Sequence, residues 1–197
     1  HHLSQWVTSG DEFSNFSYMG TYIVSIFFFL SAYGLYFQNE NKKNYLDNFL
    51  VKRLSKILVP FFSISLIYMF YRFLNGQLMD LDFFANLFKK GSTIIYNGWF
   101  VDIIILMYIF FYVSFKFFKN KFISIVINTV FIIGYICLAI KLGYGFWWYN
   151  SVFPFIIGLI WAKNKKKIDG VLDRHYFIIL VLVTVLLFIS HQYDILL

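Results

Sequence analysis

The sequence has few charged residues and a single cysteine. Of its 197 residues only 14% are charged, whereas 60% are hydrophobic and 24% are aromatic. An average soluble domain has about 25% charged residues. So little polar surface cannot cover that much apolar side chain in water, which disfavours a soluble enzyme and a disordered tail. Because Cys137 is the only cysteine, no internal disulfide can form, and a disulfide scaffold is excluded.

Common motifs of nucleotide, metal and redox sites are also missing. The chain has no G-x-x-x-x-G-K-[ST], no G-x-G-x-x-G, no C-x-x-C and no H-E-x-x-H sequence. Two of its four histidines, His175 and His191, flank one apolar run, and a straight helix of about 15 residues between them would keep them well apart. The sequence therefore predicts neither a metal site nor a bound cofactor.

What the sequence has instead is a series of long apolar runs. A helix needs roughly 17–25 such residues to cross the hydrocarbon core of a bilayer. Strands of a membrane barrel would alternate apolar and polar residues, and these runs do not. The prediction is an all-α, polytopic transmembrane helix bundle with about six spans, at residues 17–37, 57–74, 98–115, 122–140, 146–162 and 176–190.

Basic residues are concentrated in alternate loops. Segments 38–56, 116–121 and 163–174 hold 13 of the 17 Lys and Arg residues and have a net charge of +9, against −2 for the remainder. An excess of Lys and Arg in short loops marks the cytoplasmic side of a membrane protein. These three loops are therefore predicted to be cytoplasmic. The overall charge of +7 indicates membrane topology and contact with lipids, and no nucleic-acid partner is expected.

Two small groups of residues could carry chemistry. His1 and His2 would lie near the outer face, where an imidazole could act as a general base toward a hydroxyl. They could also be a tag remnant or ordinary interfacial residues. Lys52, Arg53 and Lys56 share one helix face where a basic loop enters a span. That face could hold the phosphates of a cytoplasmic ligand, or it could anchor the helix to lipid headgroups.

Two charges lie within or beside the outer ends of spans. Charge inside a membrane is costly and often functional. We expect Asp102 and Arg72, at comparable depth, to form a structural ion pair; the alternative makes Asp102 an orienting group for an outer-face histidine. The outward segment 75–97 is interpreted as an interfacial helix or a packed loop. The aromatic segment 144–149 could stack on sugars or form part of the interfacial aromatic belt.

Two neighbouring stretches carry a resemblance to a known family. FFFLSAYGL at 27–35 closes one span, and FLVKRLSKILVP follows at 49–60. In this order they resemble the membrane acyltransferase 3 family. Its members have the sequence F-[LIV]-x-S-G-[FY]-x-L at the end of one span and then an R-x-x-R-like sequence where the next helix begins. Ala32 stands where the family usually has Gly, and Lys56 occupies the second basic position.

Later segments are similar to the same family over most of residues 1–165. Trp99 opens a span with the family's W-[SF]-[LV] pattern, Tyr108 follows at the family's offset of nine residues, and an F-x-x-G segment lies at 155–158. Ile104 replaces a Glu that some members carry, which removes one possible polar participant. The family has about ten helices, so residues 1–197 are interpreted as a partial domain without the first and the C-terminal helices.

The resemblance implies a reaction and a set of residues. An acyl group, usually acetyl, would pass from cytoplasmic acetyl-CoA, a substrate, to a hydroxyl of an extracytoplasmic glycan or lipid-linked sugar. Arg53, Lys56 and Lys52 would bind the donor, and His2, or else His1, would be the catalytic base. Trp99 and Tyr108 would have orienting or structural roles. The setting would be a bacterial plasma membrane; the alternative is a transporter or polysaccharide-export component without acyltransferase activity, or a structural subunit.

Overall fold

The structure, a computed structural model, describes residues 19–77 and 98–196, with side chains described for 20–77 and 98–189. These residues form helices and connecting loops with no strand among them, which confirms the predicted all-α bundle. In chain order the helices are α1 (Met19–Asn41), α2 (Phe49–Leu74), α3 (Trp99–Phe117), α4 (Lys121–Lys141), a 3₁₀ turn (Phe146–Trp148), α5 (Phe153–Lys163), α6 (Lys165–Arg174) and α7 (Tyr176–Leu196).

The described helices include four that are long and apolar enough to cross a membrane. These are α1 to α4, and α6 with α7 would make a fifth span if the pair, bent by 93°, is taken as one. Hydroxyl groups within the apolar helices are satisfied by their own backbone: Ser65, Ser114 and Thr129 each donate to the carbonyl four residues earlier. A helix in lipid must satisfy its polar groups internally in this way, because no water is present to do so.

The predicted span at 146–162 is wrong, because the structure divides it. Its first residues form the three-residue 3₁₀ turn, and α5 is only 11 residues long. At 1.5 Å per residue α5 is about 16 Å long, roughly half the hydrocarbon thickness of a bilayer. Asn150 and Ser151 lie in the intervening turn, and Pro154 lies in the first turn of α5, where its missing N–H costs nothing.

The core lies where α1, α3 and α5 meet. Each helix contributes one buried stripe: α1 through Phe28 and Ala32, α3 through Met107 and Phe111, and α5 through Phe155. By contrast, most of α2 and the described part of α7 expose apolar side chains, as expected for helices whose surroundings are lipid. The short α5 is therefore a packed interior element.

Helices α1 and α5 run parallel and pack closely. Near their starts the Ser151 Oγ donates to the Thr21 carbonyl at 3.4 Å, and farther along, the rings of Phe29 and Trp161 meet edge to face at 5.5 Å. Gly158 allows this approach, because a Cβ there would overlap the backbone carbonyl of Phe29. Helix α5 thus begins and ends on the same sides of the bundle as α1.

The three basic loops lie at one end of the bundle, which we call the basic end. Glu40, at the end of α1, forms an ion pair with Lys121, at the start of α4. The Lys116 Nζ of α3 lies 2.7 Å from the Asp47 carboxylate in the α1–α2 loop. Lys163, at the end of α5, places its Nζ 4.8 Å from the centroid of the Phe122 ring. The charge asymmetry of the sequence therefore corresponds to two opposite ends of the folded bundle.

Candidate functional site

Arg53, in the second turn of α2, is turned toward the bundle at the basic end. Its Nη2 donates to the Tyr45 hydroxyl at 2.8 Å, and its guanidinium carbon lies 5.8 Å from the centroid of the same ring. A guanidinium has five N–H donors, and this bond uses one of them. The half-buried Arg53 is thus held in place, and among the described residues Tyr45 is the one hydrogen-bond partner of its guanidinium, which leaves donors for an anion.

The α1–α2 loop has a defined shape that presents Tyr45. Asn44 and Asn48 have φ angles of 55° and 56°, a left-handed conformation that Asn tolerates better than most residues. Asp47 ties the loop to α3 through Lys116, and the Tyr45 ring packs edge to face on the Phe49 ring with centroids 5.4 Å apart. These contacts place the Tyr45 hydroxyl against a residue eight positions later in the chain.

The polar contacts continue from Arg53 into the bundle. Tyr108 of α3 lies near the Ser31 side chain of α1 and interacts electrostatically with Arg53 and Tyr45. Phe49, fully buried, packs against Tyr108 at 6.2 Å between centroids. Ser31, Tyr45, Arg53 and Tyr108 form what we call the inner polar cluster. It extends from the loop at the basic end to about the middle of α1 and α3.

Lys52 and Lys56 lie beside this cluster on the surface of α2. Both are exposed, and no described carboxylate lies within ion-pair distance of either. Three of the four acidic residues in the basic loops are already paired, with Lys116, Lys121 and Lys165. The start of a helix adds its own positive partial charge. The region around Lys52, Arg53 and Lys56 is therefore electropositive and suited to an anion.

A second cluster lies at the opposite end of the bundle. The Tyr135 hydroxyl donates to the Trp148 carbonyl at 2.8 Å, and the Trp148 ring lies 6.4 Å from Trp99 and 5.1 Å from Tyr144 between centroids. Asp102 is exposed and interacts electrostatically with Tyr135. We call Trp99, Asp102, Tyr135 and Trp148 the opposite cluster.

The residues selected from sequence are brought together only in part. Arg72 lies in the last turn of α2, and the described ion pairs do not include one between Arg72 and Asp102. Within the aromatic segment, Trp148 is only 7% exposed and belongs to the core, whereas Trp147 is 48% exposed.

His1, His2 and most of segment 75–97 lie outside the described residues. The described ranges contain no group of three or more His, Cys, Asp or Glu residues suited to a metal ion.

Two members of the inner polar cluster, Tyr45 and Ser31, were not selected from sequence as site residues. Ser31 belongs to the FFFLSAYGL stretch, which indicates the family but assigns no role to this serine. Tyr45 lies in a polar loop between Asn44 and Asn48, which both have a left-handed backbone conformation. Two asparagines at this spacing are the sequence feature that could have indicated a loop of defined shape. The contact of Tyr45 with Arg53 depends on how that loop folds back onto α2.

The family model of the acyltransferase 3 acyltransferase domain matches residues 1–196. The chain belongs to the acyltransferase 3 family. It is therefore a multi-pass membrane acyltransferase, which transfers a group other than an aminoacyl group. No curated protein and no solved structure matches the chain.

Segments typical of the acyltransferase 3 family meet in this fold. Ala32, where the family usually has Gly, lies against Gly158 of the F-x-x-G segment, and the missing side chain of Gly158 permits the close helix approach. Tyr108, in the segment that begins at Trp99, lies near Arg53 of the R-x-x-R-like sequence. Ile104, where some members have Glu, is 1% exposed and belongs to the apolar core. Separate sequence stretches thus form one contact region of this acyltransferase.

Proposed function

We propose that the protein transfers an acyl group, acetyl in the first instance, from acyl-CoA to a hydroxyl of an extracytoplasmic glycan or lipid-linked sugar. The observation that carries the proposal is the inner polar cluster with its two neighbouring lysines. A half-buried Arg53 is held by the Tyr45 hydroxyl, and Lys52 and Lys56 are exposed without a described carboxylate partner. CoA is a polyanion, and a guanidinium with free donors is well suited to bind a phosphate through two bonds.

The basic end is proposed to face the cytoplasm, where CoA esters occur, and the membrane is proposed to be the plasma membrane. The positive-inside rule supports this orientation. With the phosphates at Arg53, Lys52 and Lys56, the pantetheine arm of the donor would run into the bundle. Tyr108 and Ser31 supply hydrogen-bonding groups about midway along their helices, where the surrounding side chains are otherwise largely apolar.

The proposed reaction is a direct attack of the acceptor hydroxyl on the thioester. A base takes the hydroxyl proton, the oxygen forms a bond to the acyl carbon, and the C–S bond breaks to release CoA, which takes up a proton. His2, with His1 as the second candidate, is proposed as that base, because an imidazole exchanges a proton near neutral pH. Because the acceptor hydroxyl must lie close to this base, the acceptor is proposed to bind toward the opposite end of the bundle.

The opposite cluster is proposed to receive the acceptor. Trp147 and Phe146 are exposed there, and aromatic faces of this kind pack well against sugar rings. Asp102, exposed near Tyr135, could orient an acceptor hydroxyl or the catalytic histidine. Membership of the acyltransferase 3 family favours this enzymatic interpretation over the transporter alternative.

Binding of CoA to the intact protein in nanodiscs tests the donor assignment. We expect Arg53→Ala to weaken CoA binding at least tenfold, whereas Lys119→Ala, which removes a charge from the same end but outside the cluster, should change it less than twofold. Cells producing the Arg53→Ala variant at normal levels should also lose O-acetyl groups from their surface glycans. Equal CoA affinity in the wild type and Arg53→Ala would exclude this donor site.

A further inference from the structure

Tyr45 accepts a hydrogen bond from Arg53 that the family assignment does not explain. The long Arg side chain has several rotatable bonds, and fixing it on a ligand costs conformational entropy. In the structure the Arg53 guanidinium is fixed at one nitrogen, because Nη2 donates to the Tyr45 hydroxyl at 2.8 Å. A side chain fixed before the ligand arrives loses less freedom on binding, so the same contacts give a higher affinity.

Tyr45 can fix Arg53 because it is itself held from two sides. Its ring packs on Phe49, which is fully buried against α3. The loop around it is tied down by the 2.7 Å contact of Asp47 with Lys116 and by the backbone bond from Lys52 N to Asn48 O at 2.9 Å. The hydroxyl is therefore attached to the bundle core through a buried ring.

We propose that Tyr45 is a positioning residue that holds the Arg53 guanidinium ready for a phosphate of the acyl-CoA donor. This inference rests on the proposed function, because it assumes that Arg53 binds the donor. Tyr45 acts through Arg53 and takes no part in the chemical step. Its loss should therefore weaken donor binding and leave the rate at saturating donor unchanged.

The matched pair Tyr45→Phe and Tyr112→Phe tests the proposal in the full-length protein. Both changes remove one phenolic hydroxyl from a ring packed on Phe49, with centroids 5.4 Å and 6.1 Å away, but only Tyr45 is bonded to Arg53. We expect Tyr45→Phe to raise the KM for acetyl-CoA and the Kd for CoA about tenfold while kcat stays within twofold. Tyr112→Phe should leave all three constants within twofold of the wild type.

A double-mutant comparison shows whether Tyr45 acts through Arg53. In an Arg53→Ala background, Tyr45→Phe should have no further effect on the Kd for CoA, because the group that it positions is absent. An equal effect in both backgrounds would overturn the proposal, as would a Tyr45→Phe variant with wild-type KM and Kd. A fall in kcat with unchanged KM would overturn it too, because it would place Tyr45 in the chemical step.

Two further results separate this inference from the proposed function. If the wild type binds CoA and Arg53→Ala does not, but Tyr45→Phe binds normally, only the positioning role fails. If the wild type does not bind CoA, the donor assignment fails and the positioning role fails with it. Should Tyr45→Phe not accumulate in the membrane, Asp47→Asn provides the same test. It releases the loop from Lys116 and should raise the Kd for CoA two- to fivefold, and an unchanged Kd would contradict the proposal.

Discussion

The backbone carbonyl of Phe29 on α1 faces Gly158 on α5 with no room for a side chain between them. A Cβ at residue 158 would overlap that carbonyl oxygen and lie 3.0 Å from the Cβ of Ala32. Without a strong hydrophobic driving force between helices in lipid, close backbone approach through small residues is a main source of helix association. This contact holds the short α5 inside the bundle, and α5 in turn places Lys163 at the basic end.

Gly158→Ala should therefore destabilise the protein, by about 1–3 kcal/mol, because the added methyl must displace the α1 backbone. The matched control is Gly134→Ala in α4, where a Cβ would meet nothing within 4 Å. Ala is the better helix former, so this control should be neutral or stabilising by up to about 1 kcal/mol. Thermal unfolding in detergent compares the two, and equal melting temperatures would contradict the packing described for α1 and α5.

Asn128 in α4 should tolerate replacement by leucine. Its side chain is fully buried, and neither amide atom has a hydrogen-bond partner among the described residues. An unsatisfied buried polar group costs about 1–3 kcal/mol, which a leucine of similar size would not incur. We expect Asn128→Leu to leave the unfolding temperature unchanged or to raise it. A loss of more than about 1 kcal/mol would show that the amide is bonded in the working protein.

Arg53→Lys should behave as a partial loss of function. The lysine keeps the positive charge, but it lacks the planar guanidinium that binds a phosphate through two hydrogen bonds. It also cannot bind a phosphate in this way while it donates to the Tyr45 hydroxyl. We expect the KM for acetyl-CoA to rise about three- to fivefold, less than for Arg53→Ala, with little change in kcat. Initial-rate measurements over a range of acetyl-CoA concentrations provide the check, and a wild-type KM would show that charge alone suffices.

The orientation of the basic end can be read from cysteine labelling. Exposed Cys137 is first replaced by serine, and single cysteines are then placed near either end of α4, at Lys119→Cys and Leu142→Cys. A membrane-impermeant maleimide should label position 142 in intact cells and position 119 only in inside-out vesicles. The reverse pattern would place the basic loops outside and would contradict both the proposed topology and the proposed donor site.

Sequence patterns predicted the large features of the protein well, because those features depend on composition within short stretches. A run of 20 apolar residues prefers lipid wherever it lies in the fold, and a loop with three or more lysines keeps its charge whatever it contacts. The all-α bundle, four of its spans and the grouping of the basic loops therefore follow from the residue order. The family motifs likewise identify the acyltransferase 3 family without any coordinates.

The features that build the candidate site depend instead on which residues become neighbours. Hydropathy does not distinguish a spanning helix from the broken 146–162 segment, because Trp148 is as apolar inside the core as Trp147 is at the surface. It likewise cannot show that Tyr45 reaches Arg53, or that Asp102 lies near Tyr135. These contacts are decided by loop shape and helix packing, in which one missing methyl group at Gly158 determines how near two helices can come.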